Sequence, residues 1–238
     1  MAPPGGGDSE TQVPGTLKVP GIYLSRVDRI FMNGPFPAFD FDSWAESYDQ
    51  DVASNQFPFV GYTSVLNTVV RLAGAQSGMR VLDLGTGTGN LASRFARLGC
   101  ELWCMDFSAA MLEKARVKLP GAHIIQYDLR GDWPAGLPGR FERIVSAYVF
   151  HHFELDEKVR LVQRIVSELL LPGDRLVIAD IAFPDRPTQE KTRVQLGEAW
   201  EQEFYWIADE AQAAFRQVGL RVEYIQVSAC AGVFNWQA

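Results

Sequence analysis

Val81-Leu82-Asp83-Leu84-Gly85-Thr86-Gly87-Thr88-Gly89-Asn90-Leu91 is the stretch that decides how this chain folds. An apolar run broken by a single acid leads into three glycines at alternate positions, and a helix-compatible segment follows. Glycine tolerates the left-handed backbone that a tight turn needs, and its missing Cβ lets a ligand approach the main chain. The stretch reads as a buried strand that delivers a nucleotide-cofactor loop to the carboxyl edge of a sheet. A tight strand-to-helix turn without a ligand is the bland alternative.

The neighbouring sequence repeats the same unit. Short apolar runs at 101–105, 123–126, 143–147 and 175–179, together with 80–84, alternate with amphipathic segments, the pattern of a mostly parallel sheet with helices on both faces. Ser108 suits the N-cap of a helix carrying Met111, Leu112 and Ala115. Leu155, Val159, Val162, Val166 and Leu169 form a helical stripe that ends before Pro172-Gly173. Upstream, one short helix is expected over 39–52 and another over 59–72. Downstream, 183–206 breaks the alternation as a polar and aromatic insert, helical around 189–203 and suited to a lid. A helix over 209–218 and two β runs at 221–227 and 231–236 close the chain. Residues 1–37, rich in Gly and Pro at first and without apolar period after, read as a flexible N-terminal arm, and 38–238 as one domain.

The composition excludes several classes. Among 238 residues, 22 Lys and Arg face 29 Asp and Glu, a net charge of -7 that weighs against a nucleic-acid partner. No apolar run approaches the roughly 18 residues of a membrane span, and the N-terminus has no signal-peptide pattern. A soluble, cytoplasmic protein is expected. Cys100, Cys104 and Cys230 are an odd number in a chain large enough to hold itself together, so they read as small hydrophobes, with neither a disulfide framework nor a metal site.

Asp106 ends the second expected strand, where a carboxylate accepts both hydroxyls of a ribose; taken alone it is equally a turn former. A dinucleotide fingerprint has two residues between its second and third glycines, whereas here Gly85, Gly87 and Gly89 alternate. Asp83 repels a pyrophosphate but hydrogen-bonds the ammonium of an amino-acid moiety. An NAD-dependent oxidoreductase shares the loop and the ribose acid, yet the sequence shows neither a Tyr-Lys pair nor a larger substrate domain.

These residues resemble the class I S-adenosylmethionine-dependent methyltransferases. Residues 83–89 are similar to that family's first motif, Asp106 to its ribose acid, and Asp128 in Gln126-Tyr127-Asp128-Leu129 to the acid that reads the adenine amino group. Residues 144–153 resemble the fourth-strand motif and 169–180 the Pro-Gly turn with the fifth strand. The segments 41–49, 148–152 and 183–206 look most like an uncharacterised bacterial group of small-molecule methyltransferases. The resemblance implies a Rossmann-like, seven-stranded sheet with a C-terminal antiparallel hairpin, S-adenosylmethionine as cofactor and S-adenosylhomocysteine as product. It implies that Gly85, Thr86 and Gly87 line the methionine and ribose portion, with Asp83 and Gly89 also among the cofactor-binding residues, that Phe107 and Met111 pack on adenine with Asp128 and Leu129 at its edge, and that Ala147 lies near the sulfonium. Tyr48 resembles a tyrosine that closes over the cofactor; a half-buried aromatic is its other reading.

Methyl transfer from a sulfonium is an in-line displacement that needs alignment and, where the acceptor carries a proton, a base. His152, at the expected tip of the fourth strand, is the candidate base, with a local helix cap as its alternative. Tyr148, His151 and Tyr205 are candidates for the acceptor pocket, His151 in a structural or lining role. Trp200, Glu201, Glu203, Phe204, Tyr205 and Trp206 read as lid and core rather than as a cation cage. Ala147-Tyr148-Val149-Phe150 lacks the Pro-Pro-aromatic signature of DNA adenine methyltransferases. The expected partner is a small-molecule methyl acceptor. A non-catalytic binder that keeps the cofactor site is the alternative from a different class.

Overall fold

The computed structural model describes residues 38–238, so the arm expected over 1–37 lies outside the described residues. In chain order the elements are α1 (Ala38–Trp44), α2 (Tyr48–Ala53), α3 (Tyr62–Ala73), β1 (Arg80–Leu84), α4 (Ala92–Ala96), β2 (Glu101–Asp106), α5 (Ala109–Lys118), β3 (His123–Gln126) and β4 (Arg143–Ala147). After a 3₁₀ turn (Phe150–His152) come α6 (Leu155–Leu169), β5 (Arg175–Phe183), α7 (Arg186–Leu196), β6 (Trp206–Ile207), α8 (Ala208–Gln217), β7 (Glu223–Gln226) and β8 (Ala231–Gln237). The strand order is β3-β2-β1-β4-β5-β8-β7, with β8 antiparallel to both neighbours. This path is the expected seven-stranded sheet with its C-terminal hairpin. The two-residue β6 is an addition, paired parallel to β5 through Ala182↔Trp206.

Near-continuous apolar strands follow from burial on both faces. Val81, Leu102, Val145 and Val177 pack towards Val65, Leu66 and Val69 of α3. Leu82, Met105, Ile144 and Leu176 pack towards Val159, Val162 and Ile165 of α6 and Phe215 of α8. Chain order reverses between β1 and β4, which pair from Val81↔Arg143 to Leu84↔Ser146, and a crevice at such a switch point opens at the carboxyl ends of the strands.

Several local expectations hold in detail. Ser108 caps α5 by accepting from the Met111 N–H, and α6 spans its predicted stripe behind a reciprocal Glu154 and Glu157 capping box. Cys104 and Cys230 are buried and Cys100 half-buried, all three as free thiols.

Two expectations fail. The helix over 39–52 is two helices, because Asp51 of α2 accepts Trp44 Nε1 (2.6 Å) and Ser47 Oγ (3.0 Å) and folds the end of α1 back on the chain. The insert is helical only to Leu196, apart from a 3₁₀ turn at Gly197–Ala199. Gly197, with φ of 53°, ends α7, and 200–205 is not helical. Trp200 and Phe204 therefore share no helical face. Instead Trp200 stacks on Phe57 (5.7 Å), Tyr205 meets Phe57 and Phe183 edge-on, and the Phe204 N–H donates to the His151 carbonyl (3.0 Å). Side-chain burial and a tie to the β4 tip win over helix propensity here.

Candidate active site

The glycine loop is shaped from both sides. Gly85 (φ 69°) lies under the β4 tip, where an added Cβ would stand 2.2 Å from Val149 Cγ2. Gly89 (φ 86°) faces Leu119 beyond the end of α5 at 2.9 Å. Gly87 (φ 54°) differs, since nothing lies within 4 Å of its Cβ direction. Two glycines thus serve packing, and the middle one leaves open space over the loop. The Thr86 N–H donates to the Met105 carbonyl (2.8 Å), which fixes the loop to β2.

Two buried carboxyls flank this space. Asp83 accepts the Thr86 hydroxyl at Oδ2 (2.9 Å), while its Oδ1 is buried without a hydrogen-bond partner. Burial pushes its pKa up to about 7, with the Thr86 hydroxyl acting in the opposite direction. Asp106 accepts the Gly87 N–H at Oδ2 (2.8 Å) and the Ser108 N–H at Oδ1 (2.9 Å), and burial raises it to about 6. A carboxylate has about four acceptor positions, so Asp106 keeps capacity for further donors.

The raised Asp83 has a consequence for stability. Between its ordinary value of 3.8 and about 7 the folded state binds the extra proton, so this group's contribution to stability falls as pH rises through that window. His152, lowered from 6.5 to about 4, acts with opposite sign, so the Asp83 effect is read as a difference between variants. Asp83→Asn is expected to gain stability over the wild type by roughly 3 kcal/mol between pH 5 and pH 8, at about 1.36 kcal/mol per unit. Denaturant unfolding of the ligand-free proteins at both pH values checks this, and a constant difference contradicts it.

The N-terminal helices close over the loop through acids that the sequence reading did not assign. Asp42 of α1 accepts the Ser108 hydroxyl (2.5 Å) and the Ala110 N–H (3.2 Å), adding a second cap to α5. Asp49 of α2 accepts from Thr88 Oγ1 (2.7 Å), Asn90 Nδ2 (3.0 Å) and Lys118 Nζ (2.7 Å). Partial burial opposes its ionisation, but these donors hold its carboxyl below the usual value. Beside this clamp Tyr48 packs edge-on against Trp44 (4.9 Å) and Phe59 (6.1 Å), and burial raises its hydroxyl well above its ordinary pKa. Asp49→Ala should loosen the covering helices and speed release of a ligand held under them about tenfold, for about 1.4 kcal/mol of lost tethering. Stopped-flow dissociation of S-adenosylhomocysteine measures it, and an unchanged rate removes α2 from the gate.

At the β4 tip the 3₁₀ turn carries the two histidines. His151 is buried, with its N–H on Asp180 Oδ2 (2.7 Å) and its Nδ1 2.6 Å from Asp180 Oδ1. Asp180, wholly buried on β5, also accepts from the Ile181 N–H (2.8 Å) and Trp206 Nε1 (3.1 Å). Burial pushes its carboxyl up, but His151 and the nearby Lys158 prevail and hold it below its usual value. Lys158 is itself buried over the Trp206 ring (4.5 Å) and donates to the Phe204 carbonyl; burial lowers it to about 8. His152 lies against His151 (4.0 Å between rings), Phe41 (5.3 Å) and Glu203 (3.8 Å). Its lowering to about 4 comes from burial and then from His151, against the pull of Glu203.

The other expected residues are spread around this centre. Phe107 meets Phe41 edge-on (4.9 Å), Met111 and Leu129 are buried, and Ala147 ends β4. Asp128 is half-exposed and gripped by Arg130, whose Nε donates to both carboxylate oxygens (2.9 and 3.1 Å), so its carboxylate is already engaged. Tyr148, at φ 59°, lies among Phe59 and Tyr62 with a buried hydroxyl that finds no partner. Tyr205 is buried and donates its hydroxyl to the Glu201 carbonyl (2.5 Å), a position in the aromatic core. Asp42, Asp49, Lys158 and Asp180 were missed, although a lone acid inside Ile178-Ala179-Asp180-Ile181 and a lysine beside a buried stripe are legible oddities. Among the described residues no group of three or more His, Cys, Asp or Glu is arranged to hold a metal, and no helix is long and apolar enough to cross a membrane.

A seven-strand path with this hairpin, a strand-tip glycine loop and paired acids on β1 and β2 define a class I methyltransferase fold. A methyltransferase-domain family profile matches residues 81–173. An uncharacterised methyltransferase of Geobacillus kaustophilus is 35% identical over 204 residues, covering 79% of this chain and 91% of the relative. One from Anoxybacillus flavithermus is 34% identical over 198 residues, 77% of this chain and 89% of its own. The chain belongs to this methyltransferase family. Among solved structures, the DhpI-SAM-HEP complex superposes with a TM-score of 0.64 at 18% identity, over 84% of this chain and 95% of that one. Magnesium protoporphyrin IX methyltransferase from Synechocystis with bound SAH gives 0.53 at 17% identity, over 89% and 92%. These two likenesses concern the fold.

Proposed function

We propose that this protein moves the methyl group of S-adenosylmethionine to a small-molecule acceptor held between the glycine loop and the β4 tip. The methyltransferase family removes the nicotinamide alternative. The observation that carries the reading is the pair of buried acids at adjacent strand tips. Asp83 keeps a buried carboxyl under the loop whose charge favours a cationic ligand above it, and Asp106 keeps acceptor capacity suited to ribose hydroxyls. The open space over Gly87 fits a ligand lying against the main chain. Bound there, the cofactor supplies an electrophilic methyl on a sulfonium that departs as a neutral thioether. Thr86 and Gly89 complete the loop, Phe107, Met111 and Leu129 form the apolar seat of the adenine, and α1 with α2 excludes water.

A small acceptor is favoured by the net charge of -7 and by the contacts that α1 and α2 make with the loop region and that Glu203 and Phe204 make with the β4 tip. A cytoplasmic setting goes with it, on the three free thiols. Calorimetric titration with S-adenosylmethionine, S-adenosylhomocysteine and NAD should give micromolar binding of the first two and no heat from NAD. Label from methyl-tritiated cofactor should then enter the low-mass fraction of a cell extract. Label in protein or nucleic acid rejects the small acceptor, and tight binding with no transfer anywhere favours the non-catalytic alternative.

A further inference from the structure

We propose that His151, held by Asp180, is the base that takes the proton of a phenolic hydroxyl as that oxygen is methylated; this rests on the function proposed above. The carboxylate of Asp180 grips both the backbone N–H of His151 (2.7 Å) and its Nδ1 (2.6 Å). With a carboxylate at that distance the ring proton sits on Nδ1, which leaves the lone pair on Nε2. Among the described residues no hydrogen bond reaches Nε2, and the His151 side chain keeps 10% of its surface exposed at the β4 tip. The turn is anchored over the loop, since Val149, two residues earlier, is the side chain against Gly85.

The ion pair that forms is provided for. Asp180 receives N–H groups from His151, Ile181 and Trp206 and the field of Lys158, so it remains a carboxylate that balances an imidazolium. Among the described residues, the charged and titratable groups around the pair are Lys158 from α6 and Tyr148, both of which act on Asp180, with His152 beside the His151 ring and, behind His152, Glu203 from the insert. Burial and the neighbouring His151 ring disfavour the charged form of His152. His152 acts as a wall.

In the step, the acceptor O–H bond breaks and its proton goes to Nε2. The oxygen lone pair forms the O–CH₃ bond while the C–S bond electrons return to sulfur, and the proton later leaves Nε2 to water. Atoms and charge balance without a further reactant. A carboxylate or an ionised thiol has no proton to lose and makes no use of such a base. Phe41, edge-on to the His152 ring (5.3 Å) that lies beside His151 (4.0 Å), supplies an apolar aromatic wall that suits an aromatic body.

The test compares 2-naphthol with 2-naphthalenethiol, already ionised at pH 8, in the full-length protein. His151→Asn keeps a donor at the Nδ1 position for Asp180 and lacks the Nε2 base. It is expected to lower transfer to 2-naphthol by roughly 10²–10⁴-fold and transfer to the thiolate by less than about tenfold. At saturating S-adenosylmethionine the wild-type 2-naphthol rate should fall at acid pH, and that limb should vanish in the variant, whose S-adenosylhomocysteine affinity should match the wild type's at each pH. Histidine ¹⁵N NMR of the S-adenosylhomocysteine complex should show the neutral His151 ring protonated on Nδ1. Equal losses on both acceptors, a proton on Nε2, or no transfer to either acceptor by a wild type that binds S-adenosylhomocysteine each overturn the assignment. A wild type that binds neither S-adenosylmethionine nor S-adenosylhomocysteine fails the underlying function instead.

Discussion

Gly85→Ala is expected to cost this protein roughly 2–4 kcal/mol of stability, a large share of the 5–15 kcal/mol typical of a domain. Two costs combine. A Cβ at φ 69° adopts the left-handed region that L side chains avoid, and it stands 2.2 Å from Val149 Cγ2 and 3.0 Å from Cγ1. Val149 has little freedom to retreat, because the Tyr148 N–H is bound to the Ala179 carbonyl (2.9 Å) and the His151 N–H to Asp180. Adding Val149→Ala should restore the steric part and leave the backbone part. Gly87→Ala reverses the pattern: with no atom within 4 Å, it should lose only about 1 kcal/mol of stability, but its Cβ fills the space over the loop and weakens cofactor binding. Urea unfolding of the three variants decides. Equal stability losses for Gly85→Ala and Gly87→Ala contradict the division between a packing glycine and a ligand glycine.

Asp106→Ala is expected to weaken S-adenosylhomocysteine binding by roughly 10²–10³-fold, about 3–4 kcal/mol, while the protein stays folded. Hydrogen bonds to a charged acceptor contribute about 1.5–3 kcal/mol each, and a ribose offers two. The substitution also removes the acceptor of the Gly87 N–H, so the loop loses the tie that sets its distance from β2. Asp106→Asn is no rescue, because each carboxylate oxygen already faces a backbone N–H and the new amide turns its own hydrogens towards one of them. The pH dependence has a definite sign. Ribose hydroxyls donate best to the ionised carboxyl, and Asp106 is raised to about 6, so affinity should fall as pH drops below 6 in the wild type and not in the variant. Calorimetry at pH 5 and pH 8 reads both effects, and unchanged affinity in Asp106→Ala separates Asp106 from the cofactor.

The catalytic end of the site was less legible than the cofactor end. The loop, its acids and the β4 tip are legible as candidates because they follow strands that announce themselves locally. His152 is the base expected from the sequence and His151 the one proposed from the structure; both stand at that tip, and nothing within a few residues distinguishes them. Asp180, 29 positions from His151 in the chain, distinguishes them.

By itself the sequence determined the α/β architecture, the strand boundaries near the site, the Ser108 cap and the span of α6, since each rests on periodicity or on an interaction within one turn. Only the tertiary structure decided the pairs that close the site: Asp42 with Ser108 across 66 positions, Asp49 with Thr88 across 39, and Asp180 with His151. It also decided that 200–205 is not helical and that Lys158 turns inward from a charged stretch of α6. The physical reason is common to all of them. A polar side chain's partner depends on which strand tips and helices the completed sheet brings side by side, and in a sheet ordered β3-β2-β1-β4-β5-β8-β7 those neighbours are distant in the chain.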